Sequence, residues 1–292
     1  MKPAPFDYAL ANSIEEATHY LADRDREAVI LAGGQTLMPM LSMRLARPEL
    51  VIDINEIEEL TGIEETDTSI VIKACTRQVT AINSEIVKSR LPLLHTALQF
   101  VGHFQTRNRG TIGGSVAHSD PVAEIPLVAL ALDAEVELRS INASRRVAMA
   151  DYLVGPLVTA RQPDELLTAV HLPAIVPTER TGTSFHEVSE RHGDYAIVAV
   201  AAQLTFDGAI CTNASVAFGG VDDIPVRIPA FEAGLIGQML ADGVPDTVLD
   251  LVPDRMNPGS DQHASADYRR RVARTLAGRA VIAAVADAQG EQ

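Results

Sequence analysis

The sequence predicts an α+β fold in which two small α/β subdomains are followed by a C-terminal domain with a three-stranded antiparallel sheet and helices. Three observations indicate this fold: a strand–helix–strand pattern at the start of the chain, a second run of short strands and helices after it, and a strand meander with helices at the end. The chain has 292 residues, 47% of them hydrophobic, which is enough to bury a sizeable core.

Residues 1–57 are the first predicted subdomain, a compact βαβ unit. Ser13 and Glu16 make a capping box at the start of a helix, and an apolar strand ends in the tight turn Gly33-Gly34. Helices are predicted over 13–22 and 37–45, and buried strands over 28–32 and 51–54.

Residues 58–177 are the second predicted subdomain. Strands are predicted over 69–74, 135–139 and 166–172, and helices over 81–88, 92–101 and 120–132. Asp120 is the expected N-cap of the last helix, with Pro121 at its first position. Residues 108–115 read as a second glycine-rich turn ahead of that helix.

Residues 178–292 are the predicted C-terminal domain, because Pro, Thr and charged residues cluster at 173–183 and indicate a boundary near Pro177. Asp207-Gly208 is a strong hairpin signal between two of its strands. Strands are predicted over 184–189, 196–206 and 210–217, and helices over 231–240, 245–251 and 265–288.

The charge and the cysteine content limit the classes of function. With 24 Lys and Arg against 39 Asp and Glu, the net charge is −15, so nucleic acid and anionic membrane surfaces are unfavourable partners. Cys75 and Cys211 are too few and too far apart for a disulfide framework or an iron–sulfur site. Because no secretory or membrane-spanning apolar run is visible, we expect a cytoplasmic protein without membrane insertion.

Two glycine-rich segments, residues 32–36 and 111–115, are the strongest local signal. Glycine lets the backbone approach a ligand, and consecutive N–H groups near a helix start form a nest for an anion such as a pyrophosphate. Gln35, Thr36, Thr111 and Ser115 add side-chain donors. Each segment could equally be a plain tight turn between a strand and a helix. Neither fits GxGxxG or GxxxxGK[ST], which disfavours Rossmann and P-loop sites.

Asp120 and Glu124 are the most interesting carboxylates, because a spacing of four places both on one face of the predicted helix. They could form a general acid–base pair or accept a hydrogen bond from a ribose or ribityl hydroxyl. They could also be simply a helix cap and a solvated first-turn charge. The eight histidines lack metal-site spacing and no Gly-x-Ser-x-Gly elbow exists, so we predict no metal ligand and no catalytic side chain.

Four stretches in family order resemble the FAD-binding medium subunit of the molybdenum hydroxylases, the group of carbon monoxide dehydrogenase, xanthine dehydrogenase and the N-heterocycle hydroxylases. The stretches are 31–39 (LAGGQTLMP) with 44–48 (RLARP), 105–124 (QTRNRGTIGGSVAHSDPVAE), 185–196 (FHEVSERHGDYA) and 263–270 (HASADYRR). The resemblance implies an FAD-binding domain of the p-cresol methylhydroxylase type, made of the two subdomains, and a C-terminal domain like that of the carbon monoxide dehydrogenase flavoprotein.

The resemblance also implies the residues that contact FAD between the two subdomains. These are Leu31, Ala32, Gly33, Gly34, Gln35, Thr36, Leu37, Thr111, Ile112, Gly113, Gly114, Ser115, Asp120, Glu124, Leu167 and His186. The glycine pairs would hold the pyrophosphate, and the segment around Phe185 and His186 would approach the isoalloxazine ring, with Tyr195 nearby.

The role implied is that of an oxidoreductase subunit in electron transfer. A large molybdopterin subunit and a small subunit with two [2Fe–2S] clusters would be its partners, in a dimer of heterotrimers, and electrons would leave through FAD to an external acceptor. The low cysteine content agrees with clusters held elsewhere. Two alternatives stay open: a stand-alone FAD-dependent reductase of the same flavin fold, and an assembly module that has lost its flavin.

Overall fold

The described residues form three sheets and a small two-stranded hairpin. The computed structural model describes residues 2–176 and 179–290. The predicted boundary at Pro177 and Thr178 therefore lies outside the described residues. Among the helices of the described ranges, none is both long and apolar enough to cross a membrane.

The first subdomain contains a parallel three-stranded sheet with strand order β1-β3-β2. Its elements are β1 (Asp7–Leu10), α1 (Ile14–Ala22), β2 (Ala28–Leu31), α2 (Leu37–Met43) and β3 (Leu50–Asp53). Ser13 caps α1 by accepting from the Glu16 N–H at 3.1 Å, as predicted, but the Glu16 carboxylate accepts from the N–H of Asn12 at 2.8 Å. Strand β1 was not predicted because its residues are largely exposed and form no apolar run.

The second subdomain contains a five-stranded sheet with order β4-β5-β10-β6-β7, in which every pairing is antiparallel. Its strands are β4 (Ile63–Glu65), β5 (Ser69–Lys73), β6 (Glu135–Arg139), β7 (Ser144–Ala148) and β10 (Leu166–Pro173), and the small hairpin is β8 (Leu153–Gly155) with β9 (Val158–Thr159). Its helices are α3 (Gln78–Asn83), α4 (Glu85–Arg90), α5 (Pro92–Leu98), α6 (Phe104–Arg109), α7 (Ile112–His118), α8 (Glu124–Ala131) and α9 (Met149–Tyr152), with a 3₁₀ turn at Glu58–Leu60.

The helix predicted to begin at Asp120 begins later, at Glu124. Asp120 instead stabilises the preceding turn, where its Oδ1 accepts from the N–H of Val122 at 3.0 Å and its carbonyl accepts from the N–H of Ala123 at 3.1 Å. The prediction of Asp120 as helix N-cap was therefore wrong, because an Asx turn competes for the same side chain. Asp120 and Glu124 do not share a helix face.

The C-terminal domain contains an antiparallel sheet with order β11-β12-β13-β14. Its elements are β11 (Arg180–Ser189), β12 (Ala196–Asp207), β13 (Ile210–Gly219), β14 (Val226–Arg227), α10 (Pro229–Leu235), α11 (Asp246–Leu249) and α12 (Ala266–Gln289), with a 3₁₀ turn at Pro253–Arg255. The predicted Asp207-Gly208 hairpin is present, with Gly208 at φ 57°. The two-residue β14 extends the three predicted strands.

The C-terminal sheet separates two hydrophobic cores. One face contributes Phe185, Ala199 and Ala201 to the core of the two subdomains. The opposite face contributes residues such as Val198 and Val200 to a second core beneath α10 and α12. Alternate residues along each strand therefore face different parts of the molecule, which determines the side chains that can reach the subdomains.

Candidate functional site

The first glycine loop, residues 32–37, connects β2 to α2 and offers a row of free backbone donors. Within the described part of the chain, the N–H groups of residues 32–37 have no hydrogen-bond acceptor. Gly34 has φ 69°, a conformation that side chains rarely adopt. Successive free N–H groups in such a turn form a concave site for an anion. This loop therefore offers unpaired donors to an anion, and its contact with a pyrophosphate stays a prediction.

The first glycine loop packs directly against the backbone that precedes the second glycine segment, residues 111–115. A Cβ placed on Gly33 would lie 2.4 Å from the carbonyl oxygen of Arg109 and 2.9 Å from the Cα of Gly110. A Cβ on Gly114 would lie 3.9 Å from the Cβ of Ala32. The structure thus brings together the two segments that the sequence predicted as one site.

The second glycine segment differs from its prediction as a turn with free amides, because it forms the start of α7. Thr111 is the N-cap, and its Oγ1 accepts from the Gly114 N–H at 3.0 Å. Three further N–H groups also have acceptors: Ile112 donates to the Thr76 carbonyl, Gly113 to that of Ala74 and Ser115 to that of Thr111. This segment therefore supplies no amide nest of its own.

Gly113 has a packing role in this segment. Its N–H donates to the Ala74 carbonyl at 2.9 Å, and a Cβ at Gly113 would lie 2.6 Å from the Cα of Ala74. Only glycine permits this approach of α7 to the chain that follows β5. The half-buried hydroxyl of Ser115 has no hydrogen bond within the described residues and remains available to a ligand.

Asp120 and Glu187 lie near enough to Glu124 for their charges to act on its carboxyl. Burial, together with the neighbouring charges of Glu187 and Asp120, raises the pKa of Glu124 to about 7. Burial likewise raises the pKa of Glu187 to about 7, and the Glu187 Oε2 atom is buried without a hydrogen-bond partner. Tyr195 lies within the field of Asp120 and Glu124 and remains 67% exposed. Glu124 and Glu187 can therefore hold or release a proton near neutral pH.

His186 lies on the face of β11 opposite to that of its neighbour Phe185. The neighbouring Phe185 packs in the core of the subdomains, 5.1 Å from the ring of Phe100. Ser184, on the other face, donates its hydroxyl to the Ala280 carbonyl of α12. His186 shares that face, where burial and the charge of Arg279 lower its pKa. The contact between His186 and a flavin ring stays a prediction, and the structure shows only that His186 and Phe185 lie on opposite faces of β11.

Glu187 is the residue that the sequence analysis missed. It lies two positions after Phe185 and so shares its face, which the period of two along a strand could have shown. Leu167 lies in the core at 4% exposure, beside an irregularity in the pairing of β10 with β6. Leu31 ends β2 and Leu37 begins α2, so these two residues flank the first glycine loop.

The chain matches two protein families along most of its length. Residues 4–175 match the FAD binding domain in molybdopterin dehydrogenase, and residues 183–284 match the C-terminal domain of the carbon monoxide dehydrogenase flavoprotein. The chain belongs to the FAD-binding medium subunits of the molybdenum hydroxylases. As a medium subunit, it is an oxidoreductase subunit with an FAD-binding domain.

Individual relatives support this membership. The medium subunit is 38% identical over 286 residues to the alpha subunit of the 6-hydroxypseudooxynicotine dehydrogenase complex of Paenarthrobacter nicotinovorans, covering 98% of this chain and 96% of that one. It is 36% identical over 291 residues to the carbon monoxide dehydrogenase medium chain of Afipia carboxidovorans, covering 99% and 100%.

A solved structure shows the same fold. Carbon monoxide dehydrogenase from Hydrogenophaga pseudoflava, in a form that lacks the Mo-pyranopterin moiety of its cofactor, superposes on this medium subunit with a TM-score of 0.94. The two chains are 33% identical, and the match covers 98% of this chain and 99% of the other. The predicted fold of an FAD-binding domain followed by a flavoprotein-type C-terminal domain is confirmed.

Proposed function

We propose that this medium subunit holds FAD between its two subdomains and passes electrons from the [2Fe–2S] clusters of a partner subunit to an external acceptor. The observation that carries the proposal is the first glycine loop, whose free N–H groups at residues 32–37 lie against the Arg109–Gly110 backbone. A diphosphate needs such a row of donors, and the two glycines leave room for its approach. The residues present therefore fit the pyrophosphate of FAD.

Each part of the site has a role in this proposal. The amides of residues 32–37 would bind the pyrophosphate, and the hydroxyls of Thr36 and Ser115 would add donors. FAD, when bound, supplies the chemistry of accepting and releasing two electrons. Glu124 and Glu187 would hold a proton near pH 7 beside the cofactor. No side chain of this chain acts on the organic substrate in this scheme.

The partners we propose are a large molybdopterin subunit and a small subunit with two [2Fe–2S] clusters, assembled as a dimer of heterotrimers. Relatives are described as the medium chains of carbon monoxide dehydrogenases and as a subunit of a dehydrogenase complex, which supports a multi-subunit assembly. The two cysteines of this chain, Cys75 and Cys211, are buried free thiols, which agrees with the reducing cytoplasm that we propose as its location.

Absorbance and reconstitution test this function together. The purified full chain is expected to bind FAD with flavin bands near ~450 nm, and to be reduced by substrate only after the large and small subunits are added. A purified chain that has no flavin absorbance and does not bind added FAD would support an assembly module instead. A chain that turns over a substrate without partners would support a stand-alone reductase.

A further inference from the structure

A hydrogen-bonded bridge links the two subdomains directly behind the first glycine loop. The Asn55 Nδ2 donates to the carbonyl of Ala32 at 2.9 Å, and the Asn55 Oδ1 accepts from the Arg77 Nη2 at 2.7 Å. The Arg77 Nη1 donates to the carbonyl of Arg109. One chain of side-chain contacts therefore connects a carbonyl of the first glycine loop with a carbonyl just before the second segment.

Both ends of the bridge are themselves held in place. Asp53 Oδ1 accepts from the backbone N–H of Asn55 at 2.9 Å, and Asp53 Oδ2 accepts from the hydroxyl of Tyr8 at 2.8 Å. The backbone of Arg77 pairs with that of Thr111, the N-cap of α7. Asn55 is thus fixed to the first sheet, and Arg77 is fixed to the start of the second glycine segment.

The acceptors of Arg77 are unusual for a half-buried arginine. Its guanidinium donates to a backbone carbonyl and an amide oxygen, and it forms no ion pair with a carboxylate within residues 2–176 and 179–290. The planar fork of arginine holds two acceptors in a fixed geometry, whereas the lysine ammonium is a compact charge whose donors have no fixed planar arrangement. Its cationic charge beside the loop also favours an anionic ligand there.

We propose that Asn55 and Arg77 are positioning residues that keep the two glycine segments in register and thereby set the affinity for FAD. When the Ala32 carbonyl is held from behind, the following N–H groups point away from it and toward the ligand. When the Arg109 carbonyl is held by Arg77, the surface on which Gly33 packs stays in place. This proposal rests on the proposed function, since FAD is the ligand whose binding it controls.

FAD titration of full-length variants tests the bridge. Arg77→Lys keeps the positive charge but loses the planar guanidinium. Asn55→Asp keeps the oxygen that accepts from Arg77 but loses the N–H that donates to the Ala32 carbonyl. Each is expected to raise the Kd for FAD about 10- to 100-fold, which is ~1.4 to 2.8 kcal/mol at 1.4 kcal/mol per tenfold. The double variant is expected to lose less than the sum, because both residues act in one chain of contacts.

Arg227→Lys is the matched control, because Arg227 is also partly buried and forks onto Glu232, but in the C-terminal domain. It is expected to leave the Kd for FAD unchanged. Melting separates positioning from folding: the rise of the midpoint on adding FAD, measured against each variant's own apo midpoint, should shrink in Arg77→Lys and not in Arg227→Lys.

Three outcomes have distinct meanings. Wild-type affinity in Arg77→Lys, with wild-type protein binding FAD normally, would overturn the bridge and leave the proposed function intact. Equal loss of affinity in Arg77→Lys and Arg227→Lys would also overturn it. Failure of the wild-type chain to bind FAD would overturn the proposed function itself.

Discussion

Gly33 lies where the two glycine segments meet, and its lack of a side chain is what allows the contact. A methyl group there would lie 2.4 Å from the Arg109 carbonyl, which is backbone and cannot rotate away. We expect Gly33→Ala to destabilise the chain by about 1–3 kcal/mol through overpacking and to weaken FAD binding at least ~10-fold. Gly259→Ala is the control, because a Cβ at Gly259 meets no atom within 4 Å. Equal melting points and FAD affinities in the two variants would contradict the contact.

Glu124 gives the site a pH dependence of predictable sign. Its pKa of about 7 lies above the ordinary 4.5, so the folded state favours the protonated carboxyl. The carboxyl costs no stability below pH 4.5, and its destabilising effect grows as the pH rises to about 7, up to roughly 3 kcal/mol at 1.36 kcal/mol per pKa unit. The free energy of unfolding of Glu124→Gln should therefore equal that of wild type at pH 4.5 and exceed it at pH 8.

Urea unfolding of the apo chain across this pH range measures the difference in the free energy of unfolding between Glu124→Gln and wild type. Glu85→Gln is the control, because the hydrogen bond from Lys88 lowers the pKa of that exposed carboxyl, and the variant should gain nothing at high pH. A gain of Glu124→Gln that is the same at pH 4.5 and pH 8 would contradict the assignment.

At the scale of single elements, β11 presents different chemistry on its two faces. Glu187 faces the subdomains with Phe185, whereas His186 faces α12. If the ring of FAD lies on the Glu187 face, ionisation of this carboxyl above pH 7 disfavours the negatively charged reduced flavin. Glu187→Gln is then expected to raise the flavin midpoint potential above pH 7 by about 30 mV, equivalent to ~1.4 kcal/mol for two electrons.

His186→Gln is the paired control on the same strand and is expected to leave the midpoint potential unchanged. Spectroelectrochemical titration of the reconstituted chain between pH 6 and 8.5 measures both variants. A shift in His186→Gln with none in Glu187→Gln would reverse the assignment of the two faces.

Elements with strong local signals were predictable from the sequence. Elements were not predictable where a helix cap and a turn compete for the same side chain, or where a strand forms through backbone pairing alone. Ser13 caps its helix as expected, and the C-terminal helix predicted from Ser265 begins at Ala266, with the Ser265 hydroxyl accepting from the N–H of Tyr268. Asp120 failed as a cap because its carboxylate found a nearer donor in the turn. Strand β1 gave no signal because it pairs through its backbone while its side chains stay exposed.

The candidate site was predictable in its location but not in its hydrogen bonding. The glycine pairs identified the two segments. The Gly114 N–H, however, donates to the hydroxyl of Thr111, which is the N-cap of α7, so it is not free for a ligand. The Asn55–Arg77 bridge joins residues 22 positions apart through side chains. No periodicity or short motif reports such a contact, which exists only once both subdomains have folded.

At the scale of the whole molecule, one hydrophobic core is shared by both predicted subdomains, 1–57 and 58–177, and by one face of the C-terminal sheet, whereas the second core lies within 178–292. Helix α8 of the second subdomain packs on the C-terminal sheet, where a Cβ at Gly219 would lie 3.3 Å from the Leu127 side chain. Ser215 donates its hydroxyl to the Ala131 carbonyl, and Arg227 pairs with Asp133 at 2.5 Å. Phe185 completes the core of the subdomains from the other side of the boundary.

This shared core predicts that the whole chain unfolds as one unit. Neither side of the boundary can lose its structure without exposing apolar surface on the other, so the free energies are coupled. Differential scanning calorimetry of the apo chain is expected to show a single transition with an enthalpy of about 200 kcal/mol, at ~0.7 kcal/mol per residue, and with equal calorimetric and van't Hoff enthalpies.

FAD at about 100 times its Kd should stabilise the folded chain by ~2.7 kcal/mol and so raise the midpoint of this one transition. Ser215→Ala should lower the midpoint without splitting the peak. Two resolved transitions, of which FAD moves only one, would show instead that the FAD-binding subdomains and the C-terminal domain are stable separately.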